Sequence, residues 1–532
     1  MKIKKVINFP SKKDIAIYSL FFCIGLGAAI YLYWPALTSD AMFKSDLRQA
    51  PHWAAFHNNL FQENDLLLHY SSFNVSPLQN TIYYLGTFFF DVITLSKTLS
   101  VLSYGFATLL FFIIGRKMFG VKGGILTALF FTFFPDQFGF SQGFFSKFWI
   151  IPSLLLSLYF LQSKKSLGLL LLLPFGAIAY PPIPFLMGVT ILVYIIIIYF
   201  EDKSYSIELI KHASFGALIS IGILLIKYIN PNNAIGPMTS GAALLKMPEM
   251  LKGGLLYTPY VPIPTLFEAF LDQIIHPFTL FSFLIFILVL RKNIIINKSW
   301  IALFIASIIC YGLADYYFME LYIPNRYSRY SMALLLILFN AANWNALFEK
   351  IKNNQLQYAM FFLMIGAASI SYSASFRQGK GIHDSRGHQK LTEAVSELPP
   401  KVLIAGPPYI MDDIPLMAKR SVLCNFKMAH PWFKNYYKSV KERTEATFIA
   451  LFATNRGSIN YLNTEYGVTH LIVEKTDYSR RKISRNKFYV KPYNQFIKKI
   501  TEGKLHFTLE SPPKESIVYN DKKFQIIKLP LK

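Results

Sequence analysis

Charged residues are scarce in this chain of 532 residues. Only 16% of them are Asp, Glu, Lys or Arg, whereas an average soluble domain has roughly 25%. Hydrophobic residues make up 53% of the chain and aromatic residues 16%. This composition argues against a water-soluble enzyme, because too few charged side chains remain to cover its surface. It indicates a membrane protein.

Cysteine is scarce as well. The three cysteines are spread along the chain, with Cys23 and Cys310 in apolar runs and Cys424 near the C-terminus. This excludes a disulfide framework and a CxxC-type metal site. His52 and His57 are five residues apart and therefore share one helical face poorly, so we do not expect a zinc site either.

Acidic residues are few relative to basic ones. The chain has 30 Asp and Glu against 54 Lys and Arg, a formal net charge of +24. No basic stripe or RNA-binding signature accompanies this charge, so we expect no nucleic acid as a partner. Basic cytoplasmic loops and contact with anionic lipid are sufficient causes. The basic N-terminus lacks a small-residue cleavage site after its apolar run, which predicts a retained first helix rather than a removed signal peptide.

Long apolar runs are what the chain does have. About 20 apolar residues cross the ~30 Å hydrocarbon core of a bilayer, and the runs predict about eleven membrane helices. The proline-rich stretch AYPPIPF breaks helical hydrogen bonding, so the run from 166 to 200 is predicted to form two helices joined by a tight turn. The predicted spans are 15–35, 94–115, 121–138, 146–162, 166–181, 183–200, 209–228, 275–291, 299–317, 329–347 and 355–373.

The loops between these spans alternate in charge. One set carries the Lys and Arg pairs that are typical of cytoplasmic loops, at 115–124, 162–166, 200–212, 291–298 and 348–355. With a cytoplasmic N-terminus, the other set lies outside, at 36–93, 135–147, 229–274 and 319–330. We therefore predict a multi-pass protein of the bacterial inner (cytoplasmic) membrane. The Gly- and Pro-rich outer stretch 230–264 is interpreted as a substrate-gating loop, with disorder as the alternative.

The last part of the chain changes character. KVLIAGPP (401–408), THLIVEK (469–475) and FQIIKLP (524–530) have the pattern of buried strands, and 435–454 has helical spacing. An odd number of crossings places this part outside. The sequence thus predicts a membrane domain, 1–374, followed by an extracytoplasmic α/β domain, 375–532. VLIAGPP is similar to a nucleotide-binding strand and turn but lacks GxGxxG, so we favour a scaffold or acceptor-contact module.

Two carboxylates lie just beyond the first predicted helix. The stretch TSDAMFKSD (38–46) contains Asp40 and Asp46. In the simplest case, each is merely a solvated residue at the point where the chain leaves the membrane. The alternative is a general base that deprotonates an acceptor hydroxyl, with a pKa raised by partial burial at the membrane surface. We take both residues as catalytic candidates. A second carboxylate also suits a divalent cation near a phosphate leaving group, and metal dependence stays open.

The remainder of the first outer loop is long and aromatic. Pro51 is expected to begin a helix whose apolar residues Trp53, Phe56 and Leu60 face the membrane interface. We include His52 of this loop as a candidate for substrate binding.

Basic residues at the outer surface are candidates for phosphate binding. Arg326 and Arg329 stand at the outer start of a late span, in MELYIPNRYSRY. They are either interfacial anchors among tyrosines or a clamp whose planar guanidinium groups fit phosphate oxygens. Arg326 is favoured because Pro324 stiffens its loop.

A further outer stretch, 133–152, contains Asp136, Gln142 and Lys147. Lys147 has two interpretations, a phosphate-neutralising cation or a lysine that snorkels to the interface.

This arrangement resembles the GT-C-type glycosyltransferases, which are polytopic membrane enzymes that use polyprenyl-phosphate-linked sugars. The resemblance rests on LTSDAMF after the first helix, and on LFQENDLLLHYSSFNVSPL, AYPP and LYIPNRY. It implies an α-helical polytopic membrane protein with a C-terminal soluble α/β domain, with Asp40 as the catalytic acidic residue and Arg326 at the lipid-linked phosphate. The absence of WWDYG and of an adjacent acidic pair speaks against oligosaccharyltransferase-like and protein-mannosyltransferase-like mechanisms.

The favoured function is therefore inverting transfer of a sugar from a polyprenyl-phosphate donor, among membrane lipid, to a cell-envelope glycan, lipid or protein acceptor on the outer face. Two alternatives remain, a flippase for a lipid-linked glycan and a polymerase or ligase of surface polysaccharide. A transporter is expected to have charges near the bilayer midplane. The predicted spans are almost free of them, which favours chemistry at the outer surface.

Overall fold

The computed structural model shows a mostly helical protein with a small α/β domain at its C-terminal end. It describes residues 11–134, 137–228, 233–256, 277–287, 297–318, 320–372, 376–479, 482–483, 489–504 and 506–531. Asp136 and the predicted loop residues 257–264 lie outside the described residues.

Helices occupy all eleven predicted spans, within the described part of 275–291. They are Lys12–Leu37, Val92–Phe133 (two predicted spans), Ile150–Gln162, Ser166–Ala179, Pro182–Ile198, Lys203–Tyr228, Pro277–Ile285, Lys298–Tyr316, Asn325–Lys350 and Asn354–Tyr372. Five helices of the described chain have the length and composition to cross a membrane, among them Lys12–Leu37, Val92–Phe133 and Asn325–Lys350. The expected pair around AYPPIPF is present as Ser166–Ala179 and Pro182–Ile198.

The segment Val92–Phe133, here called the hairpin, folds back on itself. Gly120 has φ +78° and ψ −176°, a conformation that is essentially restricted to glycine. The two halves then run side by side. The Tyr104 hydroxyl donates to the Thr132 carbonyl at 2.7 Å, and the Thr108 and Thr132 hydroxyls are 3.2 Å apart. The hairpin therefore provides the two predicted spans 94–115 and 121–138.

The loops sort to two opposite ends of the helices, as their charges predict. At one end, Arg116 of the hairpin turn pairs with Asp14 at 2.7 Å, before the first long helix has made two turns. Further contacts at this end join Lys164 to Asp202, Lys298 to Glu201 and Lys122 to Gln357. At the other end, Lys147 pairs with Asp46 at 2.6 Å, and Lys44 donates to Gln142 at 3.0 Å.

The C-terminal domain is built on a five-stranded sheet with the order β4-β3-β5-β7-β6. Its strands are β3 (Leu403–Ala405), β4 (Ser421–Val422), β5 (His470–Glu474), β6 (Ile517–Asn520) and β7 (Phe524–Lys528). The three predicted strands correspond to β3, β5 and β7, and the predicted helix to Lys434–Leu451. The other helices of this domain are Gln389–Ser396, Pro408–Met411, Ile414–Met417, Arg456–Tyr466 and Tyr493–Thr501.

The first outer loop and the C-terminal domain share one core. Strand β1 (Met42–Lys44) pairs antiparallel with β2 (Ile382–Asp384), which follows the last membrane helix. Tyr70 of the loop stacks on Tyr436 of the domain, with ring centroids 3.7 Å apart. The loop helices are His52–Ala55, Leu66–Asn74 and Pro77–Gly86. Residues 375–532 therefore do not pack independently of the first loop.

The expected interfacial helix after Pro51 is only four residues long, His52–Ala55. Trp53 is fully buried and stacks on Tyr83, with a centroid distance of 3.6 Å. Burial against a neighbouring aromatic ring outcompeted the membrane interface for this side chain. The exposed apolar residues of the loop lie later, at Tyr84, Leu85, Phe88, Phe89 and Phe90.

The described part of the third predicted outer loop, 233–256, rests on the C-terminal domain. The Thr239 amide donates to the Trp432 carbonyl at 2.8 Å, and the Lys434 amide donates to the Pro237 carbonyl at 3.0 Å. These backbone contacts tie this part of the loop down, whereas a gating role for 230–264 stays a prediction.

Candidate functional site

A cavity of about 200 Å³ lies where the membrane helices meet the outer loops. It is enclosed by the end of the first helix, the end of the hairpin, residues 137–147, the start of Asn325–Lys350 and residues 376–381. None of the described lining residues is Asp or Glu, and six are cationic: Lys44, Lys147, Arg326, Arg329, Arg377 and Lys380. Converging cations at a membrane boundary suit an anionic group, above all a phosphate.

Arg326 and Arg329 enter the cavity from the first turn of one helix. This helix, Asn325–Lys350 (the arginine helix), begins directly after Pro324. The Arg326 Nη1 donates to the Tyr330 hydroxyl at 3.0 Å, while its buried Nε has no hydrogen-bond partner among the residues that the structure describes. The Arg329 guanidinium carbon lies 5.3 Å from the Phe140 ring centroid. A buried donor without a partner is costly, and a phosphate oxygen would satisfy it.

Lys147 reaches the cavity from the opposite side and is paired with Asp46. Its Nζ lies 2.6 Å from an Asp46 carboxylate oxygen. Burial acts to raise the pKa of Asp46, but the positive charges of Lys147 and Lys44 outweigh it and lower the pKa to about 2. Asp46 is therefore ionised and a weak base, and its evident contact is with Lys147.

Gln142 connects two other segments that line the cavity. Its Oε1 accepts a hydrogen bond from the Lys44 Nζ at 3.0 Å, and its Nε2 donates to the Lys380 carbonyl at 2.8 Å. The 137–147 segment, the first loop and the stretch after the last membrane helix are thereby joined at the cavity.

Asp40 is not one of the described residues that line the cavity. The side chain is 96% exposed, and one oxygen lies 3.3 Å from the Nζ of Lys97, which is itself almost completely buried. Lys97 also donates to the Ser39 carbonyl at 3.0 Å. The partial burial that we expected for Asp40 is not found, because only one face of the carboxylate meets the protein. Along the chain, Asp40 stands between two lining residues, Leu32 and Lys44.

His52 is not brought to the cavity. It is 4% exposed, and its ring nitrogens meet the Ser71 hydroxyl and, at 2.8 Å, the Asn80 side-chain oxygen. Burial lowers the pKa of His52 to about 4, so it is a neutral core residue. The sequence interpretation did not anticipate this, because the polar partners come from 19 and 28 residues further along the chain.

Three cationic lining residues, Lys44, Arg377 and Lys380, were missed by the sequence interpretation. Lys44 lies between the two aspartates that were singled out. Arg377 and Lys380 follow the last membrane helix directly, in FRQGKG. A basic pair beside a membrane helix on the predicted outer side departs from the positive-inside rule, and this departure was the available signal.

The described residues contain no group of three or more His, Cys, Asp or Glu side chains arranged to bind a metal ion. The two candidate carboxylates form ion pairs with different lysines, Asp40 with Lys97 and Asp46 with Lys147. The prediction that a carboxylate pair binds a divalent cation stays open.

No family model matches this chain, and no curated protein matches it. Among solved structures, ArnT from Cupriavidus metallidurans bound to undecaprenyl phosphate is 8% identical, with a TM-score of 0.56 over 97% of this chain and 98% of that chain. Its apo state is 9% identical, with a TM-score of 0.55 over the same shares. The Archaeoglobus fulgidus oligosaccharyltransferase in complex with Zn and sulfate is 11% identical, with a TM-score of 0.49 over 89% of this chain and 69% of that chain.

The likeness to ArnT extends over nearly the whole of both chains, so it includes the C-terminal domain as well as the membrane helices. At such low identity, a shared architecture is what the comparison demonstrates. The chain shares the fold of ArnT, and the expected architecture, a polytopic helical membrane protein with a C-terminal α/β domain, is confirmed.

Proposed function

We propose that this protein is a glycosyltransferase that moves a sugar from a polyprenyl-phosphate donor to a cell-envelope acceptor at the outer face of the bacterial inner membrane. The observation that supports the proposal is the cavity with six cationic lining residues at the end of the membrane helices that the sequence predicts to be the outer one. The charged phosphate of a polyprenyl-phosphate lipid would lie at this end of the membrane helices, while the hydrocarbon chain of the lipid stays within the membrane. ArnT, which shares the fold, was solved with undecaprenyl phosphate bound.

The donor phosphate is the group that the arginine helix is suited to hold. Arg326 has a buried Nε without a partner among the described residues and an Nη1 held by Tyr330, so its guanidinium plane is already oriented. Arginine also binds phosphate oxygens in a bidentate manner. Lys147 faces the same cavity from the other side. Charge on the leaving phosphate would thus be stabilised by fixed cations, which is a large term in transfer reactions of this kind.

The chemical step needs a base for the acceptor hydroxyl. The acceptor oxygen forms a bond to the anomeric carbon, the bond from that carbon to the phosphate oxygen breaks, and the electron pair leaves with the lipid phosphate. The hydroxyl proton passes to a carboxylate. Asp40 is the better candidate, because it is exposed and has one lysine contact, whereas the low pKa of Asp46 makes that carboxylate a poor proton acceptor.

The experiment follows loss of a radiolabelled undecaprenyl-phosphate-linked hexose when the purified protein is incubated with a cell-envelope lipid and glycan extract. Asp40→Asn is expected to lower turnover about 10²- to 10⁴-fold, the usual contribution of a general base. The matched control is Glu63→Gln, because Glu63 is an exposed carboxylate of the same loop that also pairs with a lysine, Lys401, at 2.7 Å. We expect Glu63→Gln to retain activity.

Equal turnover by wild type and Asp40→Asn would remove Asp40 from the mechanism. Movement of intact glycolipid across proteoliposomes without cleavage of the sugar–phosphate bond would instead favour the flippase alternative. Extension of a glycan by whole repeat units would favour the polymerase or ligase.

A further inference from the structure

Arg48 of the first loop is buried, and its carboxylate partners come from the C-terminal domain. The side chain is 8% exposed, and its Nη1 lies 3.2 Å from Asp413 and 3.6 Å from Asp412. Its Nη2 donates to the Ser45 hydroxyl at 3.0 Å. A buried charge is stable only when it is paired, so this contact ties two parts of the chain that are 365 residues apart in sequence.

Asp413 is the centre of this network. Its side chain is 1% exposed, and one oxygen accepts from the His383 Nε2 at 3.0 Å while the other accepts from the His388 Nδ1 at 2.9 Å. Burial opposes ionisation of Asp413, but the hydrogen bonds from His383 and His388 and the charge of Arg48 keep the pKa of the Asp413 carboxyl well below its usual range. Asp413 is thus an anion with donors on both oxygens.

The segment 42–49 lies between two attachments to the later chain. At its beginning, β1 pairs with β2, and Phe43 is opposite His383. At its end, Arg48 meets Asp413. Lys44, the last residue of β1, lines the cavity, and Asp46, between the two attachments, pairs with the cavity lysine Lys147.

His383 belongs to both attachments, because it is opposite Phe43 in the sheet and also donates to Asp413. A single buried carboxylate therefore restrains the segment at both of its ends. Neither Asp413 nor Arg48 is among the lining residues of the cavity, so their effect on a ligand is indirect, and Lys44 and Asp46 are the residues of the segment that can transmit it.

We propose that Asp413, through Arg48 and His383, positions Lys44 and Lys147 to bind the phosphate of the lipid substrate. The proposal rests on the proposed function, since it assumes that a phosphate-bearing polyprenyl lipid occupies the cavity. Asp413 and Arg48 are positioning residues. They link the C-terminal domain to a site in which four of the six cations, Lys44, Lys147, Arg326 and Arg329, come from the membrane domain and its loops.

The test compares two lipids that differ only in the phosphate. Binding of undecaprenyl phosphate and of the uncharged alcohol undecaprenol is measured with the purified full-length protein in detergent. A cavity with correctly placed lysines prefers the phosphate lipid, and Asp413→Asn is expected to reduce this preference about tenfold. A merely structural role for Asp413 would weaken both lipids alike and leave the preference unchanged.

The matched control is Asp477→Asn. Asp477 is a buried carboxylate of the same domain, 6% exposed and paired with Lys482, and it is not among the described residues that line the cavity. It is expected to lower the unfolding temperature without changing the phosphate preference. If Asp413→Asn does not fold, Arg48→Lys is measured instead. It keeps the charge but loses the guanidinium geometry, and it is expected to lose part of the preference.

The outcomes separate the two proposals. A wild-type protein that prefers the phosphate lipid, together with a folded Asp413→Asn or Arg48→Lys variant of unchanged preference, overturns the positioning role alone. A wild-type protein that does not distinguish the two lipids overturns the proposed function and the positioning role together.

Discussion

At the scale of single residues, adjacent carboxylates in the C-terminal domain have opposite proton affinities. Asp413 is surrounded by donors, whereas Asp412 faces the Lys427 amide at 2.7 Å and Arg48 at 3.6 Å. Burial raises the pKa of Asp412 to about 7, and the charge of Asp413 adds to this, against the charge of Arg48. Two buried anions so close together are unfavourable, so one of them holds a proton more readily.

This difference predicts a pH dependence of stability. The pKa of Asp412 in the folded state is above that of an unfolded aspartate, about 3.9, so the native protein binds the proton more tightly. The free energy of unfolding then falls as pH rises from about 4 to 7, by an amount on the order of 1 to 4 kcal/mol. In Asp412→Asn this decrease in stability is expected to be absent. The unfolding temperature of the variant minus that of wild type should therefore be larger at pH 7.5 than at pH 4.5.

Thermal unfolding in detergent across this pH range measures the effect, with Asp413→Asn as the contrast. Asp413 has a lowered pKa, so it stabilises the protein above about pH 4, and replacing it costs stability at pH 7.5. An unfolding temperature of Asp412→Asn that tracks wild type at every pH would show that Asp412 is ionised throughout.

At the scale of elements, the first helix and the hairpin pack at glycines. A methyl group on Gly25 would lie 2.5 Å from the Thr108 hydroxyl oxygen and 2.9 Å from the Gly105 Cα. Close backbone approach through small residues is a common basis of helix association in membranes. The hydrophobic effect contributes little to helix packing there, because lipid tails are as apolar as the helix surfaces. The contact fixes the end of the first helix, which leads directly into the segment that carries Asp40 and Lys44.

Gly25→Ala is therefore expected to lower the free energy of unfolding by about 1–3 kcal/mol, the usual cost of overpacking. Gly27→Ala is the matched control from the same helix, because a methyl group there meets nothing within 4 Å. It is expected to be neutral or slightly stabilising, since alanine favours helix. Unfolding temperatures of the two variants in detergent compare them directly, and equal values would contradict this packing.

At the scale of the whole molecule, the structure has two differently built ends. At one end of the membrane helices lie the hairpin turn and ion pairs such as that of Arg116 with Asp14. At the other end lie the cavity, the loops predicted to be outer and the C-terminal domain. The candidate base and the candidate phosphate-binding arginines lie at the same end. A reaction between an outer acceptor and a lipid phosphate requires this.

Cysteine labelling tests the orientation of these ends. Glu63→Cys, at the cavity end, is expected to react with a membrane-impermeant maleimide on intact spheroplasts, whereas Lys203→Cys, at the opposite end, should react only after the membrane is opened. Of the native cysteines, Cys310 and Cys424 are buried and Cys23 is exposed on the first membrane helix, so the labelling of wild type is measured as the background and subtracted. Labelling of both variants from the same side, or of Lys203→Cys from outside, would overturn the outer-face assignment.

Much of the membrane architecture could be predicted because membrane insertion depends on local sequence. A run of apolar residues has the length of a bilayer wherever its neighbours lie, and prolines mark a break without reference to the rest of the chain, as at Ser166–Ala179 and Pro182–Ile198. Arg326 was recognised for the same reason, because a helix start after a proline at the membrane surface is a local feature.

The fate of individual polar side chains was decided by tertiary structure. His52 became a core residue, Trp53 found Tyr83, and Arg48 found Asp413 across most of the length of the chain. Such partners cannot be predicted from spacing, because the free energy of a charge or a ring depends on which groups surround it in space. The sequence by itself determined the membrane helices, their order and three of the five strands of the domain's sheet, since these follow from local hydrophobic patterns. Only the folded structure decided which cations converge on one cavity and which carboxylates remain accessible, because those depend on contacts between distant segments.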